Sequence, residues 1–171
     1  STARKSTSMA ASMSEARASG PTACPGCGAV FVCNPGACWC EALPVLDVCA
    51  EAEGVSIESG DIVLVRTGML TRCLRERSWA GYCGGPAPGL SVHCASWLHE
   101  REIAAICPDP WGLEVIPYET VDCVSPLHMI SLRNTGVLFG EIFALDELAR
   151  ACAEDQRYAF LFAAPPLPIT G

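Results

Sequence analysis

Charge is scarce in this chain, and basic charge is scarcer. Only 18% of its 171 residues are charged, and 19 Asp and Glu against 11 Lys and Arg leave a formal net charge of −8. Such a balance offers no electrostatic footprint for a nucleic-acid backbone or an anionic membrane surface. Long apolar runs are also missing. The longest, such as Tyr158 to Pro168, are short and interrupted by proline, well below the roughly 20 residues that cross a bilayer. No internal repeat is found, and no signal peptide precedes the cysteines, so the expectation is a soluble, cytoplasmic protein with reduced thiols.

What is there suits one ordinary globular domain with a small appendage. Half of the residues are hydrophobic, with 15 Gly, 13 Pro and 12 Cys, which excludes a collagenous, low-complexity or disordered chain. Residues 1–20, rich in Ser, Ala, Thr and Met, read as a disordered lead; their acid-poor composition also resembles an organellar transit peptide. Residues 21–42 form a cysteine-rich lobe, and 43–171 have the composition of a regular domain.

In that domain, strands and helices alternate. Asp47 to Glu53 reads as the end of a helix closed by Gly54, and Ile62 to Val65 as a buried strand ended by Arg66-Thr67-Gly68. Arg72 to Leu90 shows no periodicity and is expected as a long loop. Ser91 should cap a helix over Val92 to Arg101, with a strand over Ile103 to Cys107 and a turn at Asp109-Pro110-Trp111-Gly112. Ser125-Pro126 is an N-cap followed by proline at the first helical position, and Gly136 closes that helix. A strand over Val137 to Phe139, a helix from about Asp146 to Ala153 and a strand over Tyr158 to Ala163 complete the pattern. The fold class is therefore α/β, a mixed sheet flanked by helices, preceded by the cysteine-rich lobe.

Two groups of residues carry chemistry. Cys24, Cys27, Cys33, Cys38 and Cys40 follow the spacing C-x2-C-x5-C-x4-C-x-C. A C-x2-C knuckle with glycine at its bend presents two thiolates on one turn, as tetrahedral zinc requires. Cys24, Cys27, Cys38 and Cys40 are the candidate ligands, with Cys33 as an alternative; two disulfides plus a free thiol, or simply reduced cysteines, would use the same spacing. The other cysteines are scattered singly, several in apolar stretches where a thiol serves as a small hydrophobe.

The second group is His128, two residues beyond Pro126, and Glu141, just after an apolar strand and Gly140. An imidazole and a carboxylate delivered from the ends of neighbouring elements suit a divalent ion, although on residue type alone His128 also reads as a core histidine and Glu141 as a solvated acid. His93 and His99 read as structural. Trp79, Tyr82 and Trp111 are candidates for an aromatic substrate wall or for the core. Arg66 is suited either to a substrate carboxylate or to a neighbouring acid at the strand end.

The segment from Cys24-Pro-Gly-Cys through Cys38-Trp-Cys to Pro44 resembles the small bacterial proteins named for their Cys-Trp-Cys signature, which implies a metal-binding module. Residues 45–171 resemble the C-terminal portion of the cyclase family of metal-dependent hydrolases, and kynurenine formamidase-like members in particular. The matching text is Gly60-Asp-Ile-Val-Leu-Val-Arg-Thr-Gly68, Pro88-Gly-Leu-Ser91, Trp97-Leu-His-Glu-Arg101, Asp109-Pro-Trp-Gly-Leu-Glu-Val115, Pro126-Leu-His128, Gly140-Glu141 and Phe160 to Pro168. The resemblance implies that His128 and Glu141 belong to a metal site holding zinc or manganese. It also implies water-driven hydrolysis of a small amide, with N-formylkynurenine as the first substrate to name, and assembly as a homodimer. The family's H-x-G-T-H-x-D-x-P motif, which provides the other ligands, is absent from this sequence. Half a site, and impaired activity, are what the resemblance then implies here.

Overall fold

The computed structural model describes residues 6–9, 22–23, 30–31, 43–165 and 168. Its centre is a five-stranded sheet. The strands are β1 (Ser6–Met9), β4 (Ile62–Val65), β5 (Ala105–Pro108), β6 (Leu138–Phe139) and β7 (Ala159–Phe160), in the spatial order β6-β5-β4-β1-β7. The pairs β1–β4, β4–β5 and β5–β6 are parallel, and β7 closes the far edge antiparallel to β1. A separate antiparallel pair joins β2 (Thr22–Ala23) and β3 (Val30–Phe31).

β4 and β5 are buried on both faces, as expected of parallel strands whose crossovers are helical, and this explains their unbroken apolar text. Side chains alternate between two cores. Val63, Val65 and Ile106 face a layer built from α1 (Leu43–Ala52), α3 (Cys94–Glu100) and Leu127 at the start of α4 (Pro126–His128). Leu64, Ala105 and Cys107 face the opposite way, toward Leu145, Phe143 and Leu148 around α5 (Asp146–Asp155). A mixed sheet flanked by helices is thus what the chain forms.

The differences from the expected elements have identifiable causes. Ser6–Met9 lie in the stretch expected as a disordered lead, yet they pair with β4 in register Thr7 to Val63. Backbone pairing along an open strand edge needs no apolar period in the added strand. Met69–Glu76 is a helix, α2, where the text from Arg72 onward is expected as loop. Its N-cap residue, Gly68, has no side chain to cap with, and the local contribution is the Thr67 hydroxyl, which accepts the Met69 N–H at 3.3 Å. The carboxylate of Asp109, 39 positions beyond Leu70, accepts the backbone N–H groups of Thr67 and Leu70. Ser125 stands at the start of α4 but caps nothing, and its hydroxyl instead meets that of Tyr118 at 3.2 Å. Beyond His128 the helix widens into a π-helical turn, Met129–Thr135, closed by Gly136 at φ 74°.

Several of the scattered cysteines behave as small hydrophobes: Cys73, Cys94, Cys107 and Cys152 are buried as free thiols, whereas Cys83 is exposed. Burial pushes Cys94 and Cys107 up to about 11, which keeps them protonated and unreactive. Among the described residues, no helix is long and apolar enough to cross a membrane.

Candidate metal centre

The parallel strands place their carboxyl ends on one side of the sheet, where open α/β sheets bind ligands. β5 ends at Pro108 and runs into the turn Asp109-Pro110-Trp111-Gly112-Leu113-Glu114. β6 ends at Phe139 and runs through Gly140 into Glu141. The two exits travel together, because Ile142 and Phe143 donate their N–H groups to the carbonyls of Pro110 and Pro108. Gly140 allows this closeness: a Cβ there would lie 2.6 Å from the Phe143 ring and 2.8 Å from Cys107 Sγ.

His128 enters this space from α4. Its Nε2 lies 3.1 Å from Glu141 Oε1, and its Nδ1 lies 2.7 Å from Glu114 Oε1. The same Glu114 oxygen accepts the backbone N–H of His128 at 2.8 Å. Glu141 is anchored in turn by the N–H of Leu113 at 3.0 Å. The ring meets Phe139 edge-on, with centroids 4.8 Å apart. Hydrogen bonding to Glu114 first, and to Glu141 second, outweighs burial and lifts His128 from 6.5 to about 9. The structure thus joins His128 and Glu141, which the sequence singles out, and adds Glu114, which it does not. Glu114 is only 4% exposed. In the text it is one acid in the Leu113-Glu114-Val115 run, and the lone signal of its burial is that apolar residues flank it.

These residues fit a divalent ion as two of its ligands. Imidazole nitrogen and carboxylate oxygen are the donors such an ion takes, and a gap of 3.1 Å matches two neighbouring donors each about 2.0–2.2 Å from one ion. Nε2 and Glu141 Oε1 face each other, so the lone pairs an ion would use converge on the space between them. No group of three donors among the described residues surrounds a common point, so the described part is a pair and not a cage.

The other candidates are distributed differently. Arg66 is committed to Asp146, its Nε donating at 2.7 Å while Thr71 donates to the same oxygen at 2.6 Å. Burial alone would raise the Asp146 carboxyl, but these two hydrogen bonds outweigh it and hold the group below its ordinary value. Tyr82 is buried, and its hydroxyl donates to the Asp109 carbonyl at 2.7 Å. Burial, with Asp109 adding to it, pushes that phenol up to about 12. Trp79 is 58% exposed and meets Tyr82 edge-on, and Trp111 is 43% exposed within the turn that leads to Glu114. His93, at the N-cap of α3, and His99, in its last turn, are both exposed. Cys24, Cys27, Cys33, Cys38 and Cys40 lie outside the described residues. The described hairpin β2–β3 brackets Cys24 and Cys27 in the chain.

Fold and site together define a parallel-sheet α/β domain with a histidine–carboxylate cluster at the carboxyl end of its strands. Residues 38–115 match the model of a family described as "Putative cyclase". A crystal structure described as that of a novel cyclase is similar, with a TM-score of 0.63 and 34% sequence identity over 72% of this chain and 40% of the other. This chain therefore spans less than half the length of that structure. No curated protein matches it. Both matches are to cyclase proteins, and the family-model match covers residues 38–115 of this chain.

Proposed function

We propose that this chain carries one half of the metal centre of a hydrolase that cleaves a small amide, in the manner of an arylformamidase. The observation that carries the reading is the approach of His128 Nε2 to Glu141 Oε1 at 3.1 Å, from two separate elements at the carboxyl end of the sheet. Zinc or manganese is the ion this donor pair suits. When bound, such an ion supplies Lewis acidity for water activation and carbonyl polarisation. The chain's own residues do the rest. Leu113 N–H fixes the Glu141 carboxylate, and Trp111, two residues earlier in the same turn, carries an exposed indole suited to an aromatic amide such as N-formylkynurenine. The H-x-G-T-H-x-D-x-P text is absent from the sequence, so the chain alone is a weak catalyst in this reading.

Metal stoichiometry on the purified chain tests it. The double variant His128→Ala/Glu141→Ala should lose one equivalent that Cys24→Ser/Cys27→Ser retains. Loss confined to the cysteine variant would reverse the conclusion and assign the metal to the cysteine-rich lobe alone.

A further inference from the structure

We infer that Glu114 is a positioning residue that fixes which nitrogen of His128 is free to bind. This rests on the reading of His128 and Glu141 as metal ligands, and it concerns what makes the histidine a competent one. A neutral imidazole carries one ring proton, and here two carboxylates compete for it. Glu114 Oε1 lies 2.7 Å from Nδ1, whereas Glu141 Oε1 lies 3.1 Å from Nε2. The closer carboxylate is also the more secluded one, at 4% side-chain exposure against 31% for Glu141. Its oxygen is further tied to the backbone N–H of His128 at 2.8 Å, so ring and carboxylate are held in one frame. Hydrogen bonds strengthen where water is excluded, and the tautomer of a ligating histidine is set by the bond its other nitrogen makes. The proton therefore stays on Nδ1, and Nε2 presents its lone pair toward Glu141.

The chain around Glu114 is built to keep it there. Leu90 bridges to Glu114 in parallel register, with Leu90 N–H donating to Leu113 O at 2.8 Å and Val115 N–H to Leu90 O at 3.1 Å. Next to it, Gly89 passes so close that a Cβ would lie 2.2 Å from the Glu114 carbonyl carbon. The Pro88-Gly89-Leu90 strap thus presses on the backbone of the residue that orients His128. Without the Glu114 carboxylate, Nδ1 would lose its partner and the proton could move to Nε2, the nitrogen an ion needs.

Two measurements on the full chain test this. The first is zinc affinity of the wild type, Glu114→Gln and Glu114→Ala, with folding checked by circular dichroism and Tm. The Ala variant should bind roughly 10–100-fold more weakly, the usual cost of losing such an orienting partner. The Gln variant, whose amide oxygen can still accept from Nδ1, should recover part of the loss. The second is nitrogen-15 NMR of the His128 ring in metal-free protein, above its pKa of about 9. The wild type should show the Nδ1–H tautomer, and Glu114→Ala should shift it toward Nε2–H. An Nε2–H tautomer in the wild type overturns the inference. So does unchanged zinc affinity in Glu114→Ala while His128→Ala abolishes binding, and in that case the metal reading survives. If the wild type binds no zinc, the metal reading fails, and the tautomer still decides the role of Glu114.

Discussion

His128 is tied to Glu114 twice through a single oxygen: its backbone N–H and its ring Nδ1 lie 2.8 and 2.7 Å from Oε1. One bond fixes the start of α4 and the other fixes the ring. The turn after β5 thereby sets both where the helix begins and where its imidazole points. Because Leu113, the neighbour of Glu114, also holds Glu141, a single short turn governs both members of the candidate ligand pair.

That arrangement makes stability depend on pH in a defined direction. His128 is raised from 6.5 to about 9 by Glu114 and then Glu141. A group raised on folding contributes stability that is fully present below its unfolded value, about 6.5, and is lost as pH climbs through about 9. Urea unfolding of metal-free protein should therefore show stability falling across that window, and His128→Ala should flatten the fall. Metal affinity should move oppositely, rising with pH as the proton that competes for Nε2 departs. A wild-type profile no steeper than that of His128→Ala would remove the electrostatic account of the cluster.

Gly112 lies within the turn that carries Glu114 and Gly89 packs against it, and the two make opposite predictions. A Cβ at Gly89 would press into the Glu114 carbonyl carbon and oxygen at 2.2 and 2.4 Å, whereas one at Gly112 meets nothing within 4 Å. Rigid backbone cannot yield as a flexible side chain can, so Gly89→Ala should cost about 1–3 kcal/mol, as overpacking does. Gly112→Ala should be near neutral. Denaturant midpoints at equal slope decide the matter, and equal midpoints for the two variants would mean that the strap has room to move aside.

Much of this was readable in the amino-acid text, and the unread part has a common physical origin. β4 is legible because Ile62-Val63-Leu64-Val65 is buried on both faces and so reads as a continuous apolar run. The ends set by Gly54 and Gly136 are legible because a left-handed backbone conformation favours glycine. His128 and Glu141 stand out by their place in a family-like pattern, since residue type alone also reads as a core histidine and a solvated acid. Glu114 does not, since its importance lies in a contact with a residue 14 positions away. The helix α2 is hidden for the same reason, as its cap comes from beyond β5. Local pattern shows what a segment buries but not which distant group satisfies its polar atoms.

Asp109 brings that point to a test. Its buried carboxylate accepts the N–H groups of Thr67 and Leu70 at the head of α2, while its carbonyl accepts the Tyr82 hydroxyl at 2.7 Å. The residue thus joins α2 and the Tyr82 loop to the turn that carries Glu114. Asp109→Asn keeps the size but turns one acceptor into a donor that faces a backbone N–H. The loss should be about 1.5–3 kcal/mol, the range for a hydrogen bond to a charged group, read as a lower denaturant midpoint. Tyr82→Phe removes only the hydroxyl bond and should cost less, about 0.5–1.5 kcal/mol. The two effects should not add in the double variant, because both changes loosen the same junction. Strict additivity would show that the carboxylate and the carbonyl of Asp109 secure α2 and the Tyr82 loop independently.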